Sequence, residues 1–388
     1  MERVADLLSA RKLLPTAFFV RSNGGFRLKK TYFSAALALA ALAAAVAFVV
    51  HRWRTSGFDW SQFASALRHV DWNWLVPAIF LILTTYVGRA LRWEIMLRPL
   101  RKDVKLWRIF SATAIGFTAV VLFGRAGEPV RPYLIAKQEN VSFSSQIAVW
   151  IVERILDLLM VLLIFGVALT RISNSAIQPG PRMQVILEAG GYTVGLIGAA
   201  SLALLIALRQ FRGDVLHRLI ERLAFLPEKP LRRLESVLVS FEEGMQSIRR
   251  AHLTALLLAY SVLEWLVIAA AFDCVCHAFP ATANLTLTDA VILLGFVAFG
   301  SIVQIPGVGG GMQIATVIVL TEFFGVPFEA ASGIAVVLWS ITFVIIVPLG
   351  LVLAFQEGIK WRNLRHLEPD VNSSAASAEP APAEEKST

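Results

Sequence analysis

The apolar residues of this chain fall in long uninterrupted blocks, and that patterning restricts the fold more than any other feature of the sequence. Tyr32–Val50, Asn73–Leu91, Ser145–Thr170, Gln184–Leu208, Leu253–His277 and Ala330–Phe355 each approach or exceed the roughly 20 residues a helix needs to cross a hydrocarbon core of about 30 Å. Backbone inside a bilayer has no water to bond to, so spanning segments are helices or closed barrels. Runs without strict apolar–polar alternation exclude the barrel. Charged residues make up 16% of the chain, against about 25% in soluble domains, too few to coat a water-facing surface. The expected fold class is all-α, a polytopic transmembrane helical bundle with re-entrant or broken helices.

The net charge of +8 raises nucleic-acid binding as a function, but the Lys and Arg residues cluster in loops on one inferred side, as membrane orientation demands. No nucleic-acid partner is expected. The basic stretch 1–30 is too long for a cleavable leader and reads as a cytoplasmic N-terminus. Residues 31–355 form the membrane domain, with a cytoplasmic amphipathic loop at 209–250. Residues 356–388 form a cytoplasmic tail, which from about residue 370 is too polar to fold alone. Arg52–Asp71, with its spaced aromatics, reads as a helix lying at the interface.

Parity of the crossings makes a sharper claim. The basic stretches around Arg98–Arg108 and Arg209–Arg250 both belong inside, and Ser145–Thr170 with Gln184–Leu208 supplies one complete excursion between them. Ile109–Phe123, only about 15 residues long, then cannot cross once. It is expected to be a re-entrant hairpin, with the charged stretch Gly124–Ser144 as a loop after it. Thr288–Ile305 and Met312–Phe324 are either two further spans or a second re-entrant pair. Short broken segments in both halves are the mark of an inverted-repeat transporter, although no residue-level repeat is visible.

Three constellations carry chemistry. The first is Glu153, Arg154 and Asp157 inside an apolar helix. One such charge costs at least about 2.5–3.5 kcal/mol at mid-span, and the i, i+3 spacing lets Arg154 pair with Asp157. They either lock two helices together as a buried ion cluster or face a polar cavity, and the second reading is preferred. The second constellation is the stretch Gly124-Arg125-Ala126-Gly127-Glu128-Pro129-Val130-Arg131-Pro132-Tyr133. Its arginine forks match phosphate oxygens, and Pro132 suits the first turn of a following helix. Positive-inside charge alone would also explain it. The third is Gln304-Ile305-Pro306-Gly307-Val308-Gly309-Gly310-Gly311-Met312-Gln313, which cannot be regular helix and is no P-loop. It reads as either a tight turn or a broken-helix site.

Weaker candidates complete the survey. Arg89, Arg92 and Trp93 read as an interfacial anchor. Glu264, alone in an apolar span, is either paired or faces the cavity. Cys274 and Cys276 point in different directions and read as packing. The six histidines are scattered without metal-ligand spacing. No metal, cofactor or catalytic residue is expected.

These three motifs, in this order, resemble the membrane region of lysylphosphatidylglycerol synthases, a family of flippase-like membrane proteins. The resemblance covers about residues 31–355. It is carried by Gly124-Arg125-Ala126-Gly127-Glu128 with Arg131 and Tyr133, by Val152-Glu153-Arg154 with Asp157, and by Pro306–Gln313. Val308 stands where the family has a second glycine, and Gln313 where an acidic residue is common. The full synthases carry a large C-terminal aminoacyl-transferase domain, whereas about 30 residues follow the last span here. The resemblance therefore implies the lipid-translocating activity without the transferase.

Together these readings predict a lipid flippase or transporter of an inner membrane. Its partners would be phospholipids or polyprenyl-phosphate-linked lipids. Its cavity would be lined by Arg125, Glu128, Arg131, Tyr133, Glu153, Arg154, Asp157, Gln304, Pro306, Gly307, Gly309, Gly310 and Gln313. Two alternatives stand beside it: a membrane transferase acting on a lipid-linked substrate, and a non-catalytic membrane partner of such an enzyme. Homo-oligomerisation is open.

Overall fold

A computed structural model describes residues 57–101, 103–173, 181–210 and 228–358. The expected first span Tyr32–Val50, the basic N-terminus and the tail lie outside the described residues. From Trp60 onward the elements belong to one unit. They are α1 (Trp60–Arg68), α2 (Trp72–Leu97), α3 (Leu106–Phe123), α4 (Val130–Glu139), α5 (Phe143–Ser173), α6 (Pro181–Gln210) and α7 (Glu228–Gly244). After these come α8 (Gln246–Arg249), α9 (Ala251–Ala278), α10 (Leu287–Gly300), α11 (Gly311–Glu322), α12 (Phe328–Trp339) and α13 (Val347–Gln356). The short strands β1 (Gln304–Ile305) and β2 (Gly309–Gly310) sit between α10 and α11.

At 26 and 28 residues, α2 and α9 are long and apolar enough to cross a bilayer, and they pack antiparallel. The Asp71 carboxylate accepts from Asn73 N–H and caps the start of α2. Asp71 N–H donates 2.8 Å to the Ala278 carbonyl at the end of α9. One turn in, Trp74 lies against the His277 ring, 4.9 Å between centroids.

The segment expected to re-enter does so, but not by folding back on itself. Leu106–Phe123 is one unbroken helix, and the turn is the 3₁₀ segment Gly124–Gly127. The return leg is α4, drawn from the stretch expected to be a loop. Its first turn tolerates Pro132 because that N–H would have no intrahelical partner anyway. The leg ends where Asn140 takes a left-handed conformation, φ 54°. Both ends of this hairpin share one side: Arg108 donates to the Gln138 carbonyl, and Arg101 to that of Glu139. Length and apolarity alone would let Leu106–Gly127 cross, yet the chain returns to where it entered.

The second half repeats the plan upside down. α10 and α11 form a second helical hairpin, closed by the antiparallel pairing of Gln304 with Gly310 and of Ile305 with Gly309. Gly300 and Gly311 pass too closely for a Cβ on either. Its base lies beside the end of α9, at the opposite end from the base of the first hairpin. α10 packs on α5, where Phe165 meets Phe296 edge-on at 4.8 Å. Reciprocally, α3 packs on α13, where Gly350 makes room for Thr118. Each half thus supplies one antiparallel central helix, one hairpin and one helix bracing the other half's hairpin. This is the geometry of an inverted repeat, and the two short apolar segments Thr288–Ile305 and Met312–Phe324 are its second re-entrant pair.

The last apolar run is interrupted mid-way by a π-helical turn, Ser340–Val344, ahead of Pro348. Pro348 has no N–H to continue the ladder. The Thr342 carbonyl, within the π-helical turn, accepts from the Tyr86 hydroxyl at 2.8 Å. α1 buries none of its residues fully and lies along α12, with Leu67 and Ala66 at Gly333. This fits the expected interfacial helix over the part of Arg52–Asp71 that is described. α7 and α8 take up the described part of the loop 209–250, and Gly244 packs directly on the Ser145 carbonyl of α5.

Two apolar cores result, one around the first hairpin and one around the second. On α5 the first core includes Leu156 and the second begins at Ile164. On α9, Leu257 belongs to one and Ile268 to the other. The ionised side chains sit between.

Candidate functional site

Arg92 lies at the centre of this polar layer with none of its surface exposed. Its Nη2 donates to Glu153 Oε1 at 2.8 Å, and its Nη1 donates to Asp157 Oδ1 at 2.8 Å and Ser261 Oγ at 3.1 Å. The same Nη1 stands 3.4 Å from Glu264 Oε2. One guanidinium thus joins α2, α5 and α9 through three carboxylates. Arg89, one turn earlier, pairs with Glu264 at 2.8 Å. Arg131, from α4, donates Nη1 to both Glu153 oxygens at 3.0 Å and Nη2 to the Arg89 carbonyl at 3.1 Å. Its guanidinium lies 4.0 Å above the Trp93 ring centroid, a cation–π contact that desolvation strengthens. Trp93 is held in turn by donating Nε1 to Gln146. Arg154 bonds outward of this layer, 3.1 Å from Asp157 and 3.5 Å from Glu153.

Such a network survives burial because every charge has an opposite partner within hydrogen-bonding range. Four arginines face three carboxylates, so one positive charge is in excess.

Beside the network lies a cavity of about 290 Å³, bounded by both hairpins, α5, α9 and the π-helical turn. Arg125, Glu128, Arg131, Arg154, Asp157 and Gln304 stand on its wall, and so does Arg89. Six of the thirteen expected site residues therefore come together. Glu153 does not face the cavity: it is fully buried behind the wall, balancing Arg131 and Arg92. Tyr133 does not face it either; its ring packs edge-on near Phe143 within the first core.

The remaining five expected residues build the second hairpin's tip and its joint with the first. The Pro306 ring covers Gly124. Gly307 N–H donates 2.8 Å to the Val121 carbonyl, one of the last carbonyls of α3. In the opposite direction, Arg125 Nη2 donates to the Ser301 and Ile302 carbonyls that end α10, at 3.1 and 2.9 Å. Each hairpin tip thus caps a helix end of the other, satisfying carbonyls that would otherwise be orphaned in hydrocarbon. Gly309 and Gly310 hold φ of 95° and 111°, which a side chain would strain.

Gln313 fastens this loop, accepting from Gly310 N–H at 2.6 Å and donating to the Val308 carbonyl at 2.7 Å. A carboxylate there could keep the first bond but not the second. Gln313→Ala loses both, and a loss of about 1–3 kcal/mol is expected. Thermal unfolding of the purified protein would show it as a lower Tm.

Arg89, Arg92 and Trp93, which the sequence reads as an interfacial anchor, belong instead to this layer: Arg89 pairs with Glu264 on the cavity wall, and Arg92 and Trp93 are fully buried. The helix continues through the buried residues Trp93, Ile95, Met96 and Leu97, a run that was visible and carries Arg92 inward. Trp265 and Thr342, also on the wall, gave no signal, because an apolar span hides which face its single polar atoms take. Glu264 proved paired. Cys276 is buried in the second core and both cysteines are free thiols. Among the described residues no cluster of His, Cys, Asp and Glu is arranged to hold a metal.

Two proteins of Methanothermobacter thermautotrophicus, each named "UPF0104 membrane protein", are 26% identical. One covers 76% of this chain and 86% of its own length, the other 74% and 87%. A protein of Haloferax volcanii named "Glycosyltransferase AglD" is 30% identical over 112 residues, 29% of this chain and 18% of that protein. No solved structure matches significantly. The family model of the lysylphosphatidylglycerol synthase TM region matches residues 28–350. The chain is thus an integral membrane protein belonging to the lysylphosphatidylglycerol synthase transmembrane-region family.

Proposed function

We propose that this protein moves a lipid head group across the membrane through the cavity between the two hairpins, while the acyl chains stay in the bilayer. One observation carries the reading: two oppositely directed hairpins meet tip to tip beside a cavity walled by ionised side chains. A volume of about 290 Å³ lies at the low end of small-molecule sites, which run from about 300 Å³. It suits a head group and not a whole lipid. Intramembrane charges mark transport routes, and inverted halves that rock about a shared site provide alternating access. The sequence contains no nucleotide-binding motif, so the driving force would be a gradient or a partner.

The orientation follows the charges. One end of the bundle carries Arg98, Arg101, Lys105, Arg108, Lys137, Arg249 and Arg250. The other carries Asp71, Asp273, Asp289, Glu322 and Glu329. The positive-inside rule makes the first end cytoplasmic. On this reading the base of the first hairpin faces the cytoplasm and the base of the second faces the opposite side.

Reconstitution into vesicles with a fluorescent phospholipid tests the proposal. Arg154→Ala and Glu128→Ala should each slow lipid movement at least about tenfold, the loss of one charge-assisted contact of about 1.5–3 kcal/mol. Folding should survive in both. Glu153 and Asp157 keep Arg92, and Arg125 keeps the carbonyls of α10. Folded variants that move lipid at the wild-type rate would remove these residues from the mechanism.

The likeness to a protein named as a glycosyltransferase favours one second reading, action on a lipid-linked sugar, with the wall carboxylates as acid and base. Product formed by the purified protein from a lipid acceptor would support it. Lipid movement without product would reject it.

A further inference from the structure

Hydrogen-bond donors on the cavity wall outnumber the acceptors that face them. Among the described residues, Arg131 Nε, Arg154 Nε, Trp265 Nε1 and Thr342 Oγ1 are buried atoms without a hydrogen-bond partner, and all four residues line the cavity. No buried carboxylate or amide oxygen of a wall residue is left unpaired in the same way. Asp157 is held by Arg92 and Arg154, and Glu128 by Arg125. The charges lean the same way. Four arginines on the wall face two carboxylates, and counting the buried partners Arg92, Glu153 and Glu264 still leaves one positive charge in excess.

The positions of Trp265 and Thr342 follow from the fold. Trp265 follows Glu264 on α9 and lines the cavity. Thr342 lies in the π-helical turn of the last span. Its carbonyl is held by Tyr86, which leaves the hydroxyl to the wall. Two neutral donors thus line the same cavity as the charged ones.

We infer that this wall is a phosphate subsite, with Arg154, Trp265 and Thr342 as its donors, and that the cargo is a head group of net negative charge. The inference rests on the transport reading above. A phosphodiester supplies both what the donors need and what the charge excess needs. A head group whose ammonium neutralises or outweighs its phosphate brings positive charge to a positive wall and is selected against.

Binding of short-chain lipids to the full chain in a neutral detergent is the test, read by calorimetry beside transport in vesicles. Short-chain phosphatidylglycerol should bind at least about tenfold more tightly than phosphatidylcholine of the same chain length. Trp265→Phe and Thr342→Val, which keep ring and shape, should each weaken phosphatidylglycerol about tenfold, one hydrogen bond to a charged group. Phosphatidylcholine, which carries the same phosphodiester, should weaken in parallel and remain the poorer ligand. Equal affinity for the two lipids overturns the inference, as does wild-type binding by both variants. Glycerol 3-phosphate binding as tightly as the anionic lipid would keep the subsite and overturn the lipid as its source. Transport of every lipid regardless of charge would keep the transporter and overturn the subsite. Selective binding without any lipid movement would do the reverse.

Discussion

Arg92→Met is expected to be the most damaging single substitution in the described part of the protein. It leaves Glu153 wholly buried, with Asp157 and Glu264 beside it, while removing the one cation that touches all three. Arg131, Arg154 and Arg89 still pair with Glu153, Asp157 and Glu264, but the one group that ties α2 to both α5 and α9 is gone, and breaking a buried ion network from one side costs about 3–5 kcal/mol. That is a large share of the roughly 5–15 kcal/mol by which folded proteins are stable. The expected result is a chain that is recovered poorly and elutes as aggregate on size-exclusion chromatography in detergent. Arg89→Met should be much milder, since Glu264 keeps Arg92 within 3.4 Å. Adding Glu153→Gln to Arg92→Met also takes the counter-charge from buried Arg131 and should deepen the loss. A wild-type unfolding temperature for Arg92→Met would mean that the layer is hydrated and not sealed.

Gly127→Ala is expected to have the second largest effect, through geometry alone. A Cβ at this position would stand 2.3 Å from both the carbonyl carbon and the oxygen of Ala119 on α3. Both are backbone atoms, so no side chain can swing aside and the two legs of the first hairpin must part. Overpacking of this kind costs about 1–3 kcal/mol and sometimes more. The displacement reaches the tip, where Arg125 and the Val121 carbonyl meet the second hairpin. Lipid movement in vesicles should therefore fall more than stability does. Gly88→Ala in α2 is the control: nothing lies within 4 Å of its Cβ, and an alanine in a helix is at worst neutral. Equal behaviour of the two variants would contradict the close approach at Ala119.

Length and apolarity were enough to find the long apolar helices Trp72–Leu97, Ala251–Ala278 and Phe328–Gln356, because a bilayer accepts few other solutions, and parity was enough to demand a hairpin near Ile109–Phe123. Its second leg stayed hidden because Arg131, Lys137 and Glu139 make α4 look like a loop. In the folded chain Arg131 and Glu139 are buried against partners over twenty positions away. The same limit applied to the site. Arg125, Arg131, Arg154 and Asp157 were visible because ionised groups are conspicuous in apolar surroundings. Arg92 was assigned to the surface because a basic stretch follows it. Whether a residue faces the cavity or lies behind it, as Glu153 does, is set by helix rotation, which no single span encodes. The inverted repeat is likewise a property of packing. Gly350 beside Thr118 and Gly295 beside Phe165 serve equivalent contacts with no shared residue pattern.

The reciprocal joint between the hairpin tips constrains how the molecule can move. Pulling the tips apart strips the Val121, Ser301 and Ile302 carbonyls of these donors together, and each bared carbonyl then needs a new partner. Any excursion that parts them must therefore admit solvent in the same step, so that hydration of the passage and its unlatching are a single event. Osmotic withdrawal of water should then hold the protein shut, whatever the lipid supply.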